Sequence, residues 1–301
     1  MTVAGSPAVT SRVGRPSLGG RRFSLDWVGT LPFFVYIGLF LLLPSAIVAA
    51  GAFVNADGSF TLDNFAHLSR TFVAKATVDT TLVSAVTAIV GASLGALLAY
   101  AIAAGNPHGV LRRLLISASG VLAQFGGVTL AFAFIASIGP AGFVYLFFQS
   151  HGVDYYAHGI WLFEVFPGLA VVYLYFQIPL MVLVFLPALD GLKPQWREAT
   201  ESLGGGTWHY WRHVAGPILF PSFIGGVLLL FANSFSAYAT ANALINQGAP
   251  MLSQQISNAL SSEVGAVEPG FAKSIAVEMI VIVTLVTIIY TLLQRRTARW
   301  L

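Results

Sequence analysis

Six stretches of this chain run for about twenty residues or more with almost no charge, near 28–53, 79–104, 114–138, 166–189, 218–241 and 272–293. At a rise of 1.5 Å per residue, about twenty apolar residues cross a hydrocarbon core of about 30 Å. The chain therefore reads as an all-α membrane protein of six spans. Its composition agrees: of 301 residues 56% are hydrophobic and 9% charged, with 23 Phe and a mean hydropathy of +0.79, against roughly 25% charged in an ordinary soluble domain. With no long linker, low-complexity tract or fixed-period repeat, residues 26–295 form one bundle domain. A basic tail, 1–25, precedes it and is expected to be disordered; a short tail, 296–301, follows.

The basic residues orient the spans. Arg12, Arg15, Arg21 and Arg22 lie in the first tail, which has no acidic residue. Arg112 and Arg113 fall between spans two and three, Lys193, Arg197 and Arg212 between four and five, and Arg295, Arg296 and Arg299 at the end. Twelve of the fifteen cations thus share one side, which the positive-inside rule makes cytoplasmic. Both termini are then cytoplasmic. The opposite side carries Arg70, Lys75 and Lys273 among Asp57, Asp63, Asp79, Asp154, Glu164, Glu263 and Glu268. There Asn55 to Gly58 reads as a turn, and Tyr155, Tyr156, Trp161 and Phe163 as an aromatic belt or a short interfacial helix. A cleavable leader is the rival reading of the first run, with small residues at Ala49 to Ala52, but the run is too long for a usual secretory core.

Several chemistries are excluded. The chain has no Cys, which removes disulfides, thiolate metal sites and cysteine nucleophiles. Its net charge of +3 is scattered beside apolar runs rather than gathered into one patch, so no nucleic-acid partner is expected. A phosphate-cradling loop needs Gly before its Lys, and Lys273 follows Ala272. His209 and His213 have metal-compatible spacing but lack the Glu of a zinc-hydrolase helix. No serine-hydrolase elbow is present. Neither an enzyme nor a resident metal or cofactor is expected.

The longest internal cytoplasmic segment, 190–217, has its own pattern. Pro194 suits the first turn of a helix, Trp196, Ala199 and Leu203 share one face, and Gly204, Gly205 and Gly206 stop it. An amphipathic helix on the cytoplasmic side needs a cover, either the membrane interface or a partner protein.

Here the residues resemble the inner-membrane permease subunits of ATP-binding-cassette importers. The loop motif of that family is Glu-Ala-Ala, three residues, Gly, nine residues, then Ile-x-Leu-Pro. Glu198-Ala199-Thr200, Gly204 and Val214-Ala215-Gly216-Pro217 keep that spacing, with Thr200, Val214 and Gly216 as departures. Tyr173 to Pro179, Phe60 to Phe65 and Leu42-Leu43-Pro44 also resemble family segments, over about residues 25–295, and the style is most like spermidine/putrescine-type permeases. The resemblance implies a type I importer permease bundle in a bacterial inner membrane. It also implies a second permease subunit, two ATP-binding subunits carrying ATP and Mg, and an extracytoplasmic solute-binding protein. The helix around Glu198 would be the coupling helix, with Glu198 the polar anchor, Ala199 the close-contact position, Leu203 on the apolar stripe, Gly204 the bend and Pro217 the rigid joint to span five.

Polar residues inside spans mark pathways or interhelical bonds. Asn233, Ser236 and Thr240 fall on one face of a continuous helix, with Tyr238 and Asn242 nearby, and this face is expected to line the route. Gln177 and Gln124 are further candidates. Glu278 is the acid placed well inside an apolar run; it either meets a cationic solute or pairs with a cation near the outer interface, and the resemblance to spermidine/putrescine-type permeases implies a polyamine, a related small cation or an aminoalkylphosphonate as the solute. Gly91 and Gly95 allow close helix packing. The rival reading is a self-sufficient carrier or channel using Glu278, although neither an inverted repeat nor broken helices are evident.

Overall fold

The computed structural model describes residues 26–55, 57–157, 159–245, 251–261 and 268–297. The tails expected at 1–25 and over most of 296–301 lie outside them, as does the leader reading's charged start. The chain divides after Ile47 into two units. The first holds α1 (Asp26–Ile37), a π-helical turn at Gly38–Leu42 and the start of α2 (Leu43–Gly51). The wide turn sits where Pro44 withdraws a backbone donor.

The second unit is helical, with α3 (Asp63–Ala66), α4 (Thr71–Ala103), α5 (Val110–Gln124), α6 (Gly127–Ile138) and α7 (Phe143–Ser150) in its first half. Next come α8 (Ala170–Asp190), α9 (Pro194–Ser202), α10 (Thr207–Tyr210), α11 (Gly216–Phe235), α12 (Tyr238–Leu244), α13 (Leu252–Ser261) and α14 (Pro269–Thr297). Six stretches are long and apolar enough to cross a membrane: Gly29–Gly51, Thr71–Ala103, Gly127–Ser150, Val165–Asp190, Thr207–Phe235 and Pro269–Leu292.

α8 is the central element. In its most apolar stretch 61% of residues are buried, against 6% for α14. Glycines let its neighbours close on it. A Cβ on Gly95 of α4 would lie 2.5 Å from the Met181 Cβ and 2.6 Å from the Ile178 carbonyl oxygen, and one on Gly226 of α11 would lie 2.5 Å from the Met181 Sδ. Met181 thereby fills the space between α4 and α11, and the expected packing role of Gly91 and Gly95 is what the geometry shows. Two apolar cores result. One joins Ala88, Ala92, Met181, Phe185, Leu219, Leu230 and Ile275; the other joins Leu130, Ala131, Leu169, Val172, Tyr173, Ala241 and Leu244 at the opposite end of α8.

Three span boundaries differ from the sequence reading. Span two starts at Thr71, not 79, because a helix continues past the end of its apolar window. Span three, expected at 114–138, is two helices broken at Phe125 and Gly126, where Gly127 adopts φ +69° and consecutive glycines end α5. The start of α5 is tied to the end of α8 by Arg112 and Asp190 at 2.5 Å, while Phe125 and Phe134 pack on Tyr175, so α5 and α6 together run antiparallel along α8. Span five, expected at 218–241, begins as early as Thr207 and breaks at Ser236 and Ala237, whose freed Ala237 carbonyl accepts the Tyr173 hydroxyl at 3.0 Å. Broken helices are thus present, contrary to the sequence reading.

Candidate functional site

α9 forms as its sequence dictates. Pro194 occupies the first turn, where its missing N–H costs nothing. The far end is closed by two backbone bonds, Gly204 N–H to the Glu201 carbonyl at 3.0 Å and Gly205 N–H to the Thr200 carbonyl at 2.9 Å. This is the Schellman pattern, and Gly204 supplies its left-handed residue at φ +80°. Thr200, the departure from the Glu-Ala-Ala pattern, is half-buried: its hydroxyl donates to the Trp196 carbonyl at 2.8 Å and its methyl uses the space where Gly205 lacks a Cβ.

What α9 presents outward is Glu198, Ala199 and Leu203, all exposed, Leu203 at 89%. The Glu198 carboxylate has no partner among the described residues, while its neighbours pair as Arg197 with Glu201 at 3.0 Å. Trp196 turns partly inward and takes Lys193 against its ring at 5.9 Å, so the apolar stripe splits into a covered end and a bare end. Trp208, 69% exposed, adds to the bare end.

Pro217 lies within a helix and not at the boundary between a loop and span five. The helix from Thr207 to Phe235 is continuous for 29 residues, and Pro217 lies in the first turn of its α11 portion. A π-helical segment, Trp211–Ala215, precedes it and absorbs the donor that proline lacks.

The expected pathway face is only partly assembled. Asn233 and Ser236 are exposed, but the break at Ala237 rotates Thr240 inward, to 3% exposure, so the three do not share a face. The Asn233 amide has no partner among the described residues, and the Ser236 hydroxyl donates back to the Ala232 carbonyl at 2.9 Å. Gln124 is exposed beside the other break, with Asn242 and Tyr238 also exposed. Gln177 is fully buried, contrary to a lining role: its amide nitrogen reaches the Thr87 hydroxyl at 3.2 Å and the Leu230 carbonyl at 3.5 Å, and its oxygen lies against Gly91 with no donor. It ties α8 to α4 and α11.

Glu278 likewise finds no cation among the described residues. The Thr77 hydroxyl donates to its Oε1 at 2.7 Å, and its Oε2 is buried without a partner. The residue that sequence reasoning undervalued is Arg112. Read only as an orienting charge, it fixes the end of α8 immediately before α9; its signal was the solitary Asp190 closing an apolar run. No cluster of three metal-ligating side chains occurs among the described residues.

The described residues form a helical bundle with six apolar stretches long enough to cross a membrane and an exposed, capped helix between the fourth and fifth. Residues 135–299 match the family described as binding-protein-dependent transport system inner membrane component, and the chain belongs to that family. It is 35% identical over 71 residues to the sulfate transport system permease protein CysT of Escherichia coli, covering 24% of this chain and 26% of that one. The same figures hold for the Salmonella typhimurium protein, so the match spans about a quarter of the curated relatives' length. Among solved structures, a bacterial ABC transporter involved in import of the acidic polysaccharide alginate superposes with a TM-score of 0.72 at 16% identity, covering 90% of this chain and 95% of that chain. The methionine ABC transporter MetNI in an inward-facing form gives 0.56 at 14% identity, covering 74% and 95%. These structures establish the fold as that of an importer permease.

Proposed function

We propose that the chain is one permease subunit of an ATP-binding-cassette importer of a bacterial inner membrane, with both termini in the cytoplasm. In this reading it pairs with a second permease subunit, two ATP-binding subunits and an extracytoplasmic solute-binding protein. The chain itself is non-catalytic and holds no cofactor; ATP and Mg belong to the ATP-binding partners. The observation that carries the reading is α9: a helix with the Glu-Ala-Ala spacing, closed by Gly204, showing Glu198, Ala199 and Leu203 to solvent while Trp196 and Thr200 are half-buried. A self-sufficient carrier built on Glu278 has no support, since the family match points to a multi-subunit importer and Glu278 is engaged by Thr77.

The solute reading shifts from the polyamine first expected. The exposed polar groups near the breaks, Gln124, Asn233 and Ser236, are neutral hydrogen-bonding groups with no carboxylate among them. Together with the sulfate permease relatives, this favours a small oxyanion over a cation, with Asn233 and Ser236 lining the route. Copurification of the tagged chain, protein identification by mass spectrometry and ATP hydrolysis with sulfate or spermidine form the test. Recovery of an ATPase and a second permease is expected, with hydrolysis raised by the oxyanion and its binding protein. Glu198→Ala and Gly204→Ala are expected to leave the complex folded and to abolish that stimulation. A folded chain that transports alone, or variants with unchanged stimulation, overturns the reading.

A further inference from the structure

The helix α7 was counted by hydropathy as the end of a span, Gly127–Ser150, but its surroundings place it differently. A tight turn, with Gly142 N–H donating to the Gly139 carbonyl at 2.7 Å, separates it from α6. The last carbonyl of α6, at Ile138, accepts the hydroxyls of both Tyr155 and Tyr156, at 3.0 and 2.6 Å. The Tyr155 ring also meets Tyr145 and Phe148, with centroids 5.1 and 6.3 Å apart, so the length of α7 stays beside the end of α6. That end is opposite to α9, because α8 runs from one to the other.

The two sides of α7 differ sharply. On the inner side Tyr145 is 8% exposed and its hydroxyl donates to Asp154 while accepting from Gln149; Asp154 also accepts the Tyr156 N–H at 2.9 Å. On the outer side Phe143, Leu146 and Phe147, spaced i, i+3, i+4, are 71%, 51% and 60% exposed. No charged residue occurs between Phe143 and Val153, and the nearest, Asp154, is turned into the Tyr145 network. The polar edge of the patch is His151, its ring tilted against Phe147 with centroids 4.5 Å apart. α6 also exposes apolar side chains, at Val128 and Phe132.

We propose that α7 is an in-plane anchor, its Phe143, Leu146 and Phe147 face seated among the phospholipid headgroups and upper acyl chains of the leaflet opposite to α9. Lipid rather than protein is the occupant because the patch lacks any ionic group and α7 directly follows α6 within one apolar stretch, Gly127–Ser150, long enough to cross a membrane. The Tyr155 and Tyr156 layer fits beneath it, with both hydroxyls satisfied internally. The inference rests on the chain crossing a membrane, not on the transport reading.

The absence of cysteine gives a clean background for site-directed spin labelling. Phe143→Cys, Leu146→Cys and Phe147→Cys are labelled singly in the full chain, reconstituted in phosphatidylethanolamine and phosphatidylglycerol vesicles, with exposed Ala66→Cys as reference. Accessibility to oxygen and to a nickel chelate is then compared. The expected result is a severalfold higher oxygen-to-nickel ratio than at Ala66 for all three, with equal depths at 143 and 147. Nickel access equal to the reference, or shielding from both colliders, overturns the lipid occupant. A depth step of about 6 Å between 143 and 147, four residues of helix rise, shows a span instead. Far-UV dichroism of each labelled chain confirms its fold.

Discussion

Single residues in this bundle act mainly through the space they leave or fill. Gly95 has two neighbours where a methyl would stand, one of them the Ile178 backbone, so relief requires moving α8 as a whole. Gly95→Ala is expected to lose roughly 1–3 kcal/mol, read as a lowered midpoint in detergent unfolding, whereas Gly120→Ala, inside α5 with nothing within 4 Å, is expected to raise it by up to about 1 kcal/mol. Gln177 tests the difference between tie and pathway. Its two long donor contacts are balanced by a buried oxygen without a donor, a defect of about 1–3 kcal/mol. Gln177→Leu is therefore expected to hold stability within about 1 kcal/mol and to preserve solute uptake; loss of uptake in a folded variant would return Gln177 to the route. Outside the spans, burial pushes the Tyr156 hydroxyl up to about 12 from its ordinary 10. The folded state holds the proton more tightly, so the contribution is whole below pH 10 and vanishes as pH rises through about 12. Ultraviolet titration of phenolate formation, compared with Tyr156→Phe, checks it.

Elements show how far side-chain pattern reaches and where it stops. Six apolar runs were legible because each carries almost no charge, although the third was placed at 114–138 and the apolar stretch is Gly127–Ser150, and α9 was legible because Pro194 and three glycines punctuate it. The breaks were not, because hydropathy sums treat Gly126, Gly127 and Ala237 as apolar and carry no record of backbone dihedrals. That is also why Asn233, Ser236 and Thr240 were read as one face: the spacing holds only if the helix continues, and a tyrosine hydroxyl 64 residues away supplies the bond that lets it stop. The loop motif pointed to a helix that is exposed, and Pro217 falls inside the continuous helix from Thr207 to Phe235. Pro217→Ala restores a donor in an already continuous helix. Its expected effect is a stability change within about 1 kcal/mol and unchanged solute-stimulated ATP hydrolysis, measured beside Gly204→Ala. A rod of 29 residues is about 43 Å long, so a tilt of about 5° begun beside α9 displaces its far end by roughly 4 Å.

At the level of the whole molecule, the apolar residues serve two solvents. Around α8 they meet one another at close range, and on α14 most of them are exposed or half-buried. Random substitution scored by solute-dependent growth is expected to separate the two: α8 rejects changes of size even between apolar residues, while Ile280, Val281, Leu285, Ile288 and Ile289 accept one another freely. Lineages that inherit this bundle should consequently age unevenly, with the buried helix retaining its spelling long after the outer one has been rewritten in the same greasy alphabet.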